Sequence, residues 1–158
     1  MTATVFPIIQ PTTLKPVSPA DIAKNIRSGD IEGLKMVFIN MPLRETAVPN
    51  TTPEGPLLMA TNLRQNYGVD ARIIDLNGYR IKDGLAEQRN LPYGRHLTET
   101  EVFNLISTDF RVRGEPDLVG FSGKITTLRW QEKIAKMVRQ ILPDVFLVSG
   151  GGLATELK

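Results

Sequence analysis

Cysteine is absent from the 158 residues, and histidine occurs once. Without a thiol, the chain makes no disulfide, no thiolate zinc site, no cysteine nucleophile and no cysteine-ligated iron–sulfur cluster of its own. One imidazole excludes a multi-histidine metal site and leaves little for a Ser-His-Asp triad. Charge of one sign is also scarce. The 19 Lys+Arg stand against 17 Asp+Glu, and a net charge of +2 is too small to argue for nucleic acid or an anionic membrane. Long hydrophobic runs are missing: stretches such as Met36-Val37-Phe38-Ile39 are far too short to span a bilayer. The N-terminus lacks the basic-then-apolar layout of a signal peptide, so the expected location is cytoplasmic.

What is present describes a globular domain. Hydrophobic residues make up 41% and charged residues 23%, and the length suits one domain with a real core. Residues 1–17 carry Pro7, Pro11 and Pro16 without any period and read as an extended arm. Ser18-Pro19-Ala20-Asp21 has the Ser, Pro and acid of a helix start, and Gly29 is placed to end that short helix. Residues 1–33 therefore form an arm and a short helix, and a single domain runs over 34–158.

Within that domain, apolar runs alternate with helical periods. Leu34 to Asn40 predicts a buried strand, and a Pro-rich loop follows. A helix is expected from near Pro56, with Leu57, Ala60, Leu63 and Tyr67 on its apolar face and Gly68 as its stop. Val69 to Leu76 predicts a second strand. Residues 77–97 have no clear period and read as a long loop or insertion with room for one helical turn. Thr98 and Glu101 fit a capping box, and Val102, Leu105 and Ile106 continue that helix. Asp117 to Gly123 predicts a third strand. Thr126 or Thr127 caps the next helix, whose stripe is Trp130, Ile134, Met137, Val138 and Ile141. Asp144 to Ser149 predicts a fourth strand, before Gly150-Gly151-Gly152 and the opening turn of another helix.

Strand and helix alternation of this kind implies a parallel sheet with helices on both faces. The expected class is α/β, a doubly wound (Rossmann-/flavodoxin-like) sheet of order 2-1-3-4, apparently truncated before a fifth strand. Ligands of such sheets bind beyond the carboxyl ends of the strands, where the strand order reverses. In this order that point lies between the first and third strands, whose exits are Asn40-Met41-Pro42-Leu43-Arg44 and Ser122-Gly123-Lys124-Ile125-Thr126-Thr127. The fourth strand exits into the three glycines and the second at Asp75-Leu76-Asn77. Neither GxGxxG after the first strand nor GxxxxGK(S/T) anywhere supports a nucleotide site. Three glycines exceed what a turn needs and let a bulky ligand pack against backbone.

These residues resemble the cobalamin-binding domains. Gly120-Phe121-Ser122-Gly123-Lys124-Ile125-Thr126-Thr127, followed one helix and one strand later by Ser149-Gly150-Gly151-Gly152, is similar to that family's Ser-x-Leu and Gly-Gly motifs. The branch it most resembles is that of the cobalamin-dependent radical SAM enzymes. Ile39-Asn40-Met41-Pro42, the Pro-Gly loop at 52–57 and Ile73-Ile74-Asp75-Leu76-Asn77 fall where that branch has Asn-Pro-Pro, a Pro-Gly-rich loop and Ile-Ile-Asp-Leu. The similarity covers residues 34 to 155 and leaves 1–33 and 77–97 unexplained.

The resemblance implies that cobalamin is the cofactor, with Ser122, Gly150 and Gly151 lining a channel for its nucleotide tail. Asn40, Met41, Pro42, Leu43, Arg44, Asn77, Gly123, Lys124, Thr126, Thr127 and Gly152 complete the cofactor-binding set. Two departures qualify it. Lys124 stands where the motif has Leu, and the Asp-x-His-x-x-Gly motif that supplies cobalt's lower ligand in methionine synthase is absent, as is usual in the radical SAM branch. The cysteines of a radical SAM loop are absent too. The resemblance therefore implies a partner: a catalytic domain beyond Lys158 holding a 4Fe-4S iron–sulfur cluster and S-adenosylmethionine. Methyl transfer or a related radical reaction would be the work of the whole enzyme.

Blander readings stand beside these. Ser122 and Thr126 suit helix capping, and Arg44 and Lys124 suit ordinary surface charge. His96 reads as an exposed loop residue, the Trp130 stripe as core, and Asp75 and Asp117 as acids at opposite edges of the sheet. The alternative class is a receiver- or flavodoxin-like module for a partner protein or flavin. A receiver wants an acidic pair and a phosphoacceptor Asp where this chain has Asn40 and Ser122. A flavodoxin wants a hydroxyl- and Gly-rich loop where it has Met41-Pro42-Leu43-Arg44. A sugar-nucleotide-binding half of a transferase is permitted by the triple glycine alone.

Overall fold

Val37 and Ile39 have no solvent exposure, and Met36 and Phe38 are buried beside them, so both faces of one strand are covered. This is β1 (Lys35–Asn40), the inner strand expected of a continuous apolar run. The structure is a computed structural model that describes residues 27–43, 52–122 and 124–151. The arm at 1–17, the helix read from Ser18 and the turn after Leu153 lie outside the described residues. So do Arg44, Gly123 and Gly152. Gly29 sits in a 3-10 turn, Ser28–Asp30.

The elements follow in the order α1 (Glu54–Tyr67), β2 (Asp70–Asp75), α2 (Gly84–Gln88), α3 (Glu99–Arg113), β3 (Leu118–Ser122), α4 (Leu128–Ile141) and β4 (Phe146–Gly150). All strand pairs are parallel, and the order across the sheet is β2-β1-β3-β4. The chain thus forms a doubly wound α/β sheet of Rossmann- or flavodoxin-like type. No described helix is long and apolar enough to cross a membrane.

One face of the sheet packs Val37, Ile39, Ile74, Val119 and Phe121 against Val102, Ile106 and Phe110 of α3 and Ile134, Met137 and Val138 of α4. The other packs Met36, Phe38, Val69 and Ala71 against Ala60 of α1. Alternation along each strand assigns these sets to opposite faces. The apolar side of α1 differs from the expected one. Pro56 and Ala60 are buried, whereas Leu57 and Tyr67 are exposed. One residue turns a helix by about 100°, so Leu57 swings away from the line through Pro56. Tyr67 falls in the last turn, where Gly68 takes a left-handed conformation at φ 63° and stops the helix.

Among the described residues, coverage of this second face ends at β3. Phe146 and Val148 share it with Leu118 and Gly120, and they remain 75% and 50% exposed. Gly120 is required there, because a Cβ would meet the ring of Phe38 at 2.7 Å.

The segment at 77–97 is more ordered than its lack of period suggests. Ile81 bridges to Arg95 in antiparallel fashion, and Asp83 caps α2 by accepting from Ala86 N at 3.0 Å. Arg95 donates to Asp83 at 2.6 Å, to Glu101 at 2.7 Å and to the carbonyl of His96 at 2.9 Å. The Thr98–Glu101 capping box at the start of α3 is present as expected. His96 is buried, contrary to the expectation of an exposed loop residue, and its Nδ1 meets Nη1 of Arg80. The segment folds down onto the core through Leu97, which draws the neighbouring ring inside.

Candidate functional site

Strand order reverses between β1 and β3. The chain leaves β1 for α1 on one face and leaves β3 for α4 on the other, so the two exits diverge and open a cleft. Register places Asn40 of β1 beside Ser122 of β3, and Ser122 beside Gly150 of β4. The described residues lining the cleft are Asn40, Met41, Leu43, residues 52–56, Asn77, Ser122, Lys124, Thr127 and Gly151. Its volume is about 350 Å³, at the low end of ligand sites. A larger hollow of about 620 Å³, bordered by Leu34, Asp117 and Phe146, lies at the opposite, amino edge of the strands. Open parallel sheets bind ligands at the carboxyl edge, which favours the smaller cavity.

A polar chain forms one wall. Asn40 Nδ2 donates to Asp75 Oδ1 at 2.7 Å, and Asn77 N donates to the same oxygen at 3.1 Å. This pairing holds the end of β1 to the end of β2. Asn77 is 0% exposed, and its Oδ1 accepts from Leu43 N at 3.2 Å and from Arg80 Nη2 at 3.4 Å. Burial lowers the pKa of Arg80, and the charge of Asp75 acts in the opposite sense. Among the described residues, Asn77 Nδ2 has no hydrogen-bond partner.

The opposite wall is the β3–α4 turn. Thr127 Oγ1 accepts from Lys124 N at 3.1 Å and donates to Lys124 O at 2.8 Å. Gln131 Nε2 lies 3.4 Å from that hydroxyl, and Ser149 Oγ donates to Gln131 Oε1 at 3.1 Å. Thr127 lines the cleft, but its hydroxyl is committed to the turn and makes no cap bond to α4. It braces the wall and leaves donation toward a ligand to others. Lys124 is exposed at the lip, and Gly151 sits at φ 89°, where a side chain would be strained.

The structure therefore gathers eight of the sequence-derived candidates around one cavity: Asn40, Met41, Leu43, Asn77, Ser122, Lys124, Thr127 and Gly151. Pro42 is buried and does not line it, nor do the exposed Thr126 and the partly buried Gly150. Residues 52–56 were missing from the candidate set although they form one side of the cleft. Their signal was available in the Pro-Gly-rich loop at 52–57, which sequence pattern alone did not place against β1 and β3. Among the described residues, no group of three or more His, Cys, Asp or Glu could hold a metal ion. Comparison with protein families, with curated proteins and with solved structures finds no match to this chain.

Proposed function

We propose that this chain binds cobalamin in its base-off form, as the cofactor domain of a radical SAM enzyme. The observation that carries the reading is the cleft between β1 and β3, where the motif-bearing residues Asn40, Asn77, Ser122, Lys124 and Gly151 meet. Its chemistry suits the nucleotide tail of a corrinoid. Ser122 offers a hydroxyl, Lys124 an ammonium group and Gly151 bare backbone. A cavity of about 350 Å³ suits a tail of that kind, and a corrin ring has to lie outside it. No histidine lines the cleft, and His96 is engaged with Arg80, which favours the base-off form.

Cobalamin supplies a methyl carrier when bound. The part of this chain is to bind and orient it, as proteins generally do for a cofactor. In this proposal the iron–sulfur cluster, S-adenosylmethionine and the catalytic step belong to a separate catalytic domain. The test is a titration of the folded protein with hydroxocobalamin, followed in the visible spectrum. Saturable one-to-one binding with a shift to the base-off form is the expected result. A flat titration of protein shown to be folded by circular dichroism overturns the proposal.

A further inference from the structure

Among the described residues that line the cleft, two carry charge: Glu54 and Lys124. They reach it from opposite faces of the sheet. Glu54 opens α1, which packs on the Met36 and Phe38 face, whereas Lys124 precedes α4, which packs on the Val37 and Ile39 face. Both are exposed, and neither makes an ion pair among the described residues. By contrast, the Asp75 carboxylate is occupied by Asn40 and Asn77, and Arg80 donates to Asn77. Lys124 is held at its backbone and uncommitted at its ammonium. Thr127 Oγ1 accepts from its N and donates to its O, which fixes where the side chain starts. The rest is a flexible stem ending in three donors and no acceptor, so it can follow a ligand at the lip while staying in water. An anion entering the cleft is attracted on the α4 side and repelled on the α1 side. A lysine ammonium is a recurrent partner of phosphate.

We infer that Lys124 recognises a phosphate group of the ligand, and that the opposed charges of Glu54 and Lys124 set the direction in which the ligand lies, phosphate toward α4. The inference rests on the reading of the cleft as a ligand site and names the group that site reads. Lys124 touches the ligand in this scheme, Thr127 positions Lys124, and Glu54 acts by repulsion alone.

The experiment titrates the full chain and its variants Lys124→Met, Lys124→Arg and Glu54→Gln with hydroxocobalamin, flavin mononucleotide and inorganic phosphate, folding being checked by circular dichroism. Hydroxocobalamin carries a single phosphorus, so phosphorus-31 NMR follows the group in question directly. The expected result is that Lys124→Met binds hydroxocobalamin about fivefold more weakly, as suits a charge-assisted bond at an exposed site. Lys124→Arg retains most of the affinity, and Glu54→Gln binds no more weakly than the unmutated protein. The phosphorus signal shifts on binding, and added sodium chloride weakens binding by the unmutated protein more than by Lys124→Met. Equal hydroxocobalamin affinity in Lys124→Met and the unmutated protein overturns this inference and leaves the cobalamin reading standing. Weaker binding by Glu54→Gln overturns the direction assigned to the ligand. No response to hydroxocobalamin, with Lys124-dependent binding of flavin mononucleotide or phosphate, overturns the cobalamin reading and supports phosphate recognition; binding of phosphate itself assigns the free anion, and binding of flavin mononucleotide alone assigns the ester. Silence toward every probe overturns both. If Lys124→Met fails to fold, the unmutated protein decides: a phosphorus signal that stays unshifted in the bound complex overturns the inference.

Discussion

Two regions share the carboxyl edge of this sheet and are built in opposite ways. At the corner formed by 81–101, one arginine joins two carboxylates, a carbonyl and a strand bridge. At the cleft between β1 and β3, a fully buried amide keeps its hydrogens unpaired and the rim ends in glycine. The corner's arginine finds its partners within the chain, and that makes a wall. The cleft leaves polar capacity unused in its wall. The contrast teaches that charge alone does not identify a site, since the corner carries more charge than the cleft.

The harshest way to break the contrast is to disrupt the wall. Gly94 has φ 77°, and a Cβ there would lie 2.5 Å from the carbonyl oxygen of Ile81. Gly94→Ala therefore meets both a left-handed backbone and a clash with a carbonyl that cannot rotate away. The expected loss is about 3 kcal/mol of stability, read from urea unfolding. A loss under about 1 kcal/mol would mean that the Ile81–Arg95 bridge is dispensable.

Arg95→Ala comes next. The arginine is buried, while its partners Asp83 and Glu101 are 33% and 35% exposed. Water takes over part of their solvation, so the expected loss is about 2 kcal/mol, below that of a fully buried pair. An unchanged urea midpoint would show that Leu91 and Leu97 hold the corner without the charges.

A smaller effect tests the cleft itself. Ser122 is half-buried on its lining, and leucine there fills space needed by a ligand. Ser122→Leu should weaken hydroxocobalamin binding about tenfold, equivalent to about 1.4 kcal/mol, with the unfolding midpoint unchanged. Equal affinity in the variant would place the site elsewhere. Wall and cleft then respond to different measurements, as their construction requires.

How much of this was legible in the sequence follows from the same contrast. The strands are legible because burial on both faces demands continuous apolar runs, and Val37 to Ile39 has nothing else. The switch point follows from strand order, and with it the meeting of Asn40 and Ser122. The burial of His96 and the hub at Arg95 are not legible. They rest on side chains pairing across 83, 95 and 101, a pattern with no period to detect. The exposure of Leu57 escapes for a related reason: an apolar residue beside a helical stripe looks like part of it until the sheet decides which line it covers. Asn77 was named by its place after β2. Its unpaired hydrogens are a property of the fold alone.

The gentlest test separates charge from packing in the corner. The hydrogen bond from Arg95, with further bonds from the backbone and hydroxyl of Thr98, holds the Glu101 carboxyl down to about 2 from an ordinary 4.5. Asp83 is lowered in the same sense, first by the N–H of Ala86 and then by Arg95. Folding that lowers a carboxyl pKa adds stability above the unfolded value, and that stability disappears as pH falls toward the folded value. The window for Glu101 is therefore from about pH 4.5 down to about 2. Because the group is 35% exposed, solvent screening holds its share to roughly 1 kcal/mol or less. Glu101→Gln should begin less stable at neutral pH and lose less on acidification, so the two unfolding curves converge as the pH approaches about 2. Parallel curves would assign the acid sensitivity to other carboxylates. Arg95 would then hold the corner chiefly by packing and by its bond to the carbonyl of His96, and the wall would differ from the cleft in packing rather than in paired charge.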